Sequence, residues 1–145
     1  LNRAYPVERG FTVKWINKNR ETGLPFDVVV SSGEDVEIYV EVKATMFEVK
    51  REFEISAREL LFAFLNGSKY AIYRVFNVYH RRGYCGSTCK SCYHVVPMYD
   101  PMWLLKNRWI QLVVSSTNRQ FIFLPIKNKY FFCCSGVKAN VTIAS

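Results

Sequence analysis

Glu41-Val42-Lys43, fourteen residues after Asp27, combines residue types that can do chemistry. In a β-strand successive side chains point to opposite faces. Tyr39, Glu41 and Lys43 therefore share one face, and Ile38, Val40, Val42 and Ala44 share the other, which reads as core. Pro25 to Val30 reads as a second strand, with Ser31 to Asp35 as the turn between them. Folding this hairpin about Gly33 brings Asp27 within a residue or two of Glu41. Two carboxylates can hold a hard cation such as Mg²⁺, which keeps several waters. A lysine beside them can orient or help deprotonate one of those waters, the requirement of metal-assisted phosphodiester hydrolysis. The plainer account of the same triplet is an exposed acid followed by a strand glutamate and its lysine partner.

The elements that must position these residues are legible on either side. Gly10 to Ile16 alternates as a strand, Asn17 to Leu24 is a polar loop, and Glu52 to Ile55 is a short strand. Ser56-Ala57-Arg58-Glu59 has the spacing of a capping box, in which the N-cap hydroxyl and the third-position carboxylate satisfy each other's backbone amides. Leu60 to Leu65 is then an apolar helix that ends at Asn66-Gly67, and Lys69 to Val78 is a strand. Asp100-Pro101 can open a short helix through Asn107, with Asp100 as the cap and Pro101 in the first turn. Trp109 to Val114 is a further strand. Phe121 to Ile126 and Tyr130 to Cys134 are strand-like but have no assigned place in the fold.

At 145 residues, half of them hydrophobic, the chain suits one domain with a sizeable core. No apolar run approaches the ~18 residues that a membrane span requires, and nothing indicates secretion, so the reading is intracellular. The net charge of +8 is uneven: residues 1–60 carry 9 basic and 11 acidic side chains, and the remainder carry 11 basic and one acidic, Asp100. A basic surface of this kind favours phosphate contact and salt-dependent nucleic-acid binding. The same shift also marks residues 115–145 as a basic tail of separate, non-native origin, such as a read-through intron.

Several segments together resemble a known family. These are Val13-Lys14-Trp15-Ile16-Asn17, Glu21 to Asp27, Tyr39 to Thr45, and Phe53 to Glu59. They are similar, in register from about Gly10 to Val78, to the C-terminal domain of the plant protein NO VEIN, and the Asp27, Glu41, Lys43 arrangement resembles the PD-(D/E)xK nuclease-like superfamily. The resemblance implies an α+β or α/β restriction-endonuclease-like fold, a mixed sheet with a covering helix, truncated at its N-terminus. Asp27, Glu41 and Lys43 would be catalytic, with Mg²⁺ on Asp27 and Glu41. It further implies a module of a larger plant protein with nucleic-acid or protein partners and a nucleus-linked developmental role. The alternative is a catalytically silent binding module on the same scaffold. The implied organisation is a helix remnant over 1–9, the nuclease-like core over 10–78, a Cys-rich insertion or splice artefact over 79–94, a last helix and strand over 95–114, and the tail. The superfamily commonly carries a further acid on its first helix, which is absent or cut away here; Glu8, the one acid before Glu21, is the candidate substitute for it.

Cys85, Cys89 and Cys92 form C-x3-C-x2-C, with His94 just beyond. Three thiolates and an imidazole can fill a tetrahedral zinc site. The spacing is compressed and a second knuckle is missing, so unpaired cysteines are the favoured reading over zinc. The same spacing is the cluster motif of radical enzymes, but the chain is too short for their barrel. Lys14, Lys18, Arg20, Lys50 and Arg51, together with Arg58, are candidate phosphate contacts, and Trp15, Tyr39 and Phe47 candidate stacking surfaces.

Overall fold

A computed structural model describes residues 1, 4–47, 50–78, 93–115 and 121–126. The elements run in this order: a 3-10 turn Val7–Arg9, β1 Phe11–Trp15, β2 Val28–Ser32, β3 Asp35–Ala44, β4 Phe53–Ile55, α1 Ala57–Asn66, a second 3-10 turn Gly67–Lys69, β5 Tyr70–Phe76, β6 His94–Tyr99, α2 Pro101–Lys106, β7 Ile110–Val114 and β8 Phe121–Pro125. The fold is α+β.

The strands form a five-stranded mixed sheet in the order β1-β2-β3-β5-β6 and a three-stranded sheet in the order β4-β8-β7. β1, β2 and β3 make an antiparallel meander, turned at Gly33 with φ 61°. That positive φ is open to glycine without a Cβ penalty. β5 then pairs parallel with β3, from Tyr39 opposite Tyr70 to Ala44 opposite Val75. A parallel neighbour needs a crossover connection, and here β4 and α1 supply it. β6 closes the other edge antiparallel to β5. Pro97 lies in β6, and an edge strand tolerates the missing amide donor.

Two cores lie on opposite faces of the larger sheet. The face carrying Tyr39 and Ile72 packs beneath α1, α2 and the small sheet, burying Phe53, Ile55, Ala63, Tyr70, Met98, Leu104, Ile110 and Phe123. The other face buries Val28, Val30, Ile38, Val40 and Ala71 under Leu1, Tyr5 and Phe11.

The structure corrects several sequence expectations. Val42 and Ala44 are exposed rather than core, because the apolar cluster packed on that face takes in β3 only as far as Val40. The 1–9 segment is not one α-helix: extended Pro6 (ψ 140°) precedes the 3-10 turn. Met98, Leu104 and Ile110 do share a core with Ile72, so the helix and strand expected over 95–114 pack with the first strands. Not all of 115–145 is an appended tail. Phe121–Pro125 is the middle strand of the small sheet, and Phe123 is fully buried between β4 and β7. Tyr130 to Cys134, Cys85, Cys89 and Cys92 lie outside the described residues.

Candidate functional site

The first turn of α1 forms as its sequence dictates. Ser56 Oγ accepts from the Glu59 amide at 3.2 Å, and Glu59 Oε2 accepts from the Ser56 amide at 2.8 Å. Arg58 in the same turn donates to the Gly23 carbonyl at 2.6 Å, which ties the helix start to the Asn17–Leu24 loop. Tyr70, wholly buried beneath, donates its hydroxyl to the Pro25 carbonyl at 3.0 Å and fixes the approach to β2. At the other end, the Asp100 side chain caps α2 by accepting from the Trp103 amide at 2.9 Å, with Pro101 at its start.

Asp27 lies just before β2, against the β3 backbone at Glu41. Its amide donates to the Val40 carbonyl at 2.9 Å, and its Oδ2 accepts from the Val42 amide at 2.8 Å, so it bonds to the backbone on both sides of Glu41. Asn17 donates to the other oxygen, Oδ1, at 2.8 Å. Glu41 is 8% exposed. Lys43 Nζ lies 2.9 Å from Glu41 Oε1 and 2.8 Å from Glu59 Oε1. Asn17, Glu21, Asp27, Glu41, Arg58 and Glu59 line one open pocket of about 280 Å³.

The charges interact strongly. Burial pushes the Glu41 carboxyl up to about 7; Lys43 opposes this by hydrogen bond and charge, while Glu59 and Asp27 add to it. Burial also works against the Lys43 ammonium, but its two carboxylate partners outweigh it and raise its pKa. For Glu59 burial is again opposed, by Lys43 and the Ser56 amide, and its pKa is lowered. Tyr70 is raised by burial first and then by Glu41, Glu59 and Asp27. Glu41 and Glu59 thus share one lysine, and each acts on the other's ionisation.

The structure brings Asp27, Glu41 and Lys43 together and adds Glu59 and Asn17, to which the sequence reading gave no site role. The capping box marks Glu59 as a helix-start residue, but no signal in the sequence places it beside Lys43. Lys18 and Arg20 lie on the exposed loop whose Asn17 and Glu21 line the pocket, whereas Lys14 is exposed on β1. Lys50 lines a separate cavity of about 490 Å³ with Lys43, Thr45 and Arg74; Arg51 is exposed. Tyr39 is not a free stacking surface: its ring packs against Phe26 and Phe62, at 4.8 and 5.0 Å between centroids. Trp15 and Phe47 are exposed. His94 opens β6 and stacks on Phe76 at 4.6 Å. Glu8 is exposed on the 3-10 turn and does not line the pocket. Among the described residues, no three His, Cys, Asp or Glu side chains are grouped to hold a metal, and no helix is long and apolar enough to cross a membrane.

The two oxygen-bearing strands and the helix cap belong to a stretch with known relatives. Residues 2–85 match the family model described as Protein NO VEIN, C-terminal. Protein NO VEIN-LIKE of Arabidopsis thaliana is 43% identical over 63 residues, covering 43% of this chain and 10% of the relative. Protein NO VEIN of the same plant is 43% identical over 63 residues, covering 43% of this chain and 2% of the relative. The aligned part of this chain spans a tenth or less of each of these relatives. No solved structure matches the chain. A family match over more than half of the chain, running through every element that builds the pocket from β1 to β5, makes this chain a member of the NO VEIN C-terminal family.

Proposed function

We propose that this domain is a restriction-endonuclease-like module of the PD-(D/E)xK type that hydrolyses phosphodiesters with Mg²⁺. Asp27 and Glu41 bind the metal, and Lys43 orients the attacking water. The observation that carries this reading is the convergence of Asp27 and Glu41, from neighbouring strands, on one open pocket with the Lys43 ammonium 2.9 Å from Glu41. Hard carboxylate oxygens suit Mg²⁺, which is commonly held by one or two carboxylates with waters and substrate phosphate completing its shell. Asp27 accepts two hydrogen bonds, and an ionised carboxylate retains further acceptor positions. When bound, Mg²⁺ supplies Lewis-acid polarisation of a phosphoryl oxygen and a more acidic water. Lys43 places a positive charge where negative charge develops. Lys18 and Arg20, on the loop beside the pocket, would contact substrate phosphates, and Lys14, Lys50 and Arg51, exposed elsewhere, are further candidate contacts.

The test is Mg²⁺ titration by calorimetry beside cleavage of single- and double-stranded DNA and RNA. Glu41→Ala should abolish cleavage with the fold retained, Asp27→Ala should weaken metal binding directly, and Lys43→Ala should weaken the chemistry more than the binding. A wild type that neither takes up metal nor cuts, with variants indistinguishable from it, would reject this reading.

A second reading has its own observation. Lys43 is already engaged by two carboxylates, and among the described residues no group of three His, Cys, Asp or Glu side chains is placed to hold a metal, which suits a scaffold that has kept its shape and lost its metal. On that account the domain is a silent module that binds nucleic acid or a protein partner. It is favoured if Mg²⁺ has no effect while nucleic acid is still retained in a salt-dependent manner.

A further inference from the structure

We propose that Glu59 is the second anchor of Lys43, holding the ammonium in the site when Glu41 turns to a divalent cation. The inference rests on the metal-site reading above. Lys43 Nζ bonds to Glu41 Oε1 at 2.9 Å and to Glu59 Oε1 at 2.8 Å, with Lys43 21% exposed and Glu59 14%. A cation arriving at Glu41 repels an ammonium on the same carboxylate, so Lys43 must withdraw from it. A lysine side chain is long and flexible, and with no other holder it turns out to water.

Glu59 prevents this because its position does not depend on Lys43. Its two oxygens have separate duties: Oε1 takes the ammonium, and Oε2 takes the Ser56 amide at 2.8 Å. The Glu59 amide returns a bond to Ser56 Oγ, and Arg58 fastens the same turn to the Gly23 carbonyl. The start of α1 therefore presents a fixed carboxylate to the end of β3. Glu59 is a positioning residue: it acts on the chemistry through Lys43. The capping box thereby serves two purposes, one of which involves a residue sixteen positions away.

Glu59→Gln separates the two. Glutamine serves in a capping box, so the helix start is kept while the charge is removed. The experiment follows the Lys43 ammonium by NMR in the full chain, as a side-chain signal slowed in exchange while carboxylates hold it. Without metal, the signal should be present in the wild type, in Glu41→Gln and in Glu59→Gln, and lost in the double variant. At saturating Mg²⁺ it should persist in the wild type and disappear in Glu59→Gln. Calorimetry should show Mg²⁺ binding about tenfold weaker in Glu59→Gln, because Lys43 then competes for Glu41, and a change below about twofold when Lys43 is already Gln. The anchor is overturned if the wild-type signal is absent, if Glu41→Gln alone loses it, or if Glu59→Gln retains it at saturation. A wild type that takes up no Mg²⁺ rejects the metal site, and the metal-free comparison of Glu41→Gln with the double variant still decides whether Glu59 holds Lys43.

Discussion

Lys43 and Arg74 are register partners on β3 and β5, and the protein surrounds these two cations with opposite kinds of neighbour. Lys43 lies between two carboxylates beside an open pocket. Arg74 is 2% exposed, and its guanidinium donates to the carbonyls of Lys43, Lys50 and Glu52 at 2.8, 3.1 and 3.3 Å. The rings of Phe53 and Phe76 lie 5.3 and 5.2 Å from its guanidinium carbon. Burial lowers the Arg74 pKa, against the nearby charge of Glu52, but guanidinium stays protonated in proteins. The planar fork suits three carbonyls in a fixed array, whereas a flexible ammonium suits exchange between two anions. The comparison distinguishes a cation that joins the crossover to the sheet from one arranged to change partners.

The strongest way to break the comparison is Arg74→Ala. Three carbonyls lose their donor at once, so destabilisation of about 3–5 kcal/mol is expected in urea unfolding. Arg74→Lys should recover little of it, since a point charge cannot reproduce the fork. A loss below about 1 kcal/mol would make Arg74 dispensable.

Phe123→Ala tests the apolar wall of the same cation. Phe123 packs on Phe53 at 5.7 Å between ring centroids, and Phe53 in turn lies over Arg74. A cavity there should cost about 3–4 kcal/mol, measured by the same unfolding assay. A value near zero would leave β8 outside the cooperative unit.

On the other side of the comparison, Glu41 gives a pH effect. With its folded pKa at about 7 against an ordinary 4.5, the folded state holds the Glu41 proton more tightly than the unfolded chain. Its contribution is therefore fully present below the ordinary value and is lost as pH rises through about 7. Glu41→Gln should gain stability relative to the wild type, by about 2 kcal/mol, between pH 5 and 8. The lowered Glu59 acts mainly below that window and the raised Lys43 above it. Parallel wild-type and variant curves in thermal melts would show that Glu41 is not shifted upward.

The smallest effect sharpens the link between helix and site. Ser56→Ala should cost about 1 kcal/mol through the lost cap, and should also loosen Glu59 and so broaden the Lys43 ammonium signal. An unchanged signal would disconnect the cap from the lysine.

How much of this could be read beforehand depends on the range of the interaction. The hairpin and the face shared by Glu41 and Lys43 follow from a period of two and a glycine turn, both local. The caps at Ser56 and Asp100 are also local, since each joins positions three apart in the chain. Glu59 was legible as a cap but not as a lysine partner, because sequence spacing does not say which strand a helix start faces. The burial of Arg74 was not legible, because its acceptors come from three separated backbone positions. Tyr39 looked free because its alternation partner was charged, yet Phe26 and Phe62 enclose it. β8 could not be placed because its neighbours, β4 and β7, lie on either side of it in space but both precede it in the chain. β6 was missed because Pro97 reads as a breaker unless the strand is at an edge.

The β4–β8 pairing also sets a timetable for synthesis. Domains form as units while the chain emerges from its N-terminus. Asp27, Glu41, Lys43 and Glu59 have all emerged long before Phe123, yet among the described residues Phe53 and Ile55, which precede the site's helix, pair with β8 alone. Until then the crossover that carries α1 lacks the ladder partner of its strand, and Arg74 and Arg58 hold it to the sheet and to the pocket loop. A ribosome that stalls between Val78 and Phe121 would therefore present every residue of the site, with the strand before its helix still unpaired.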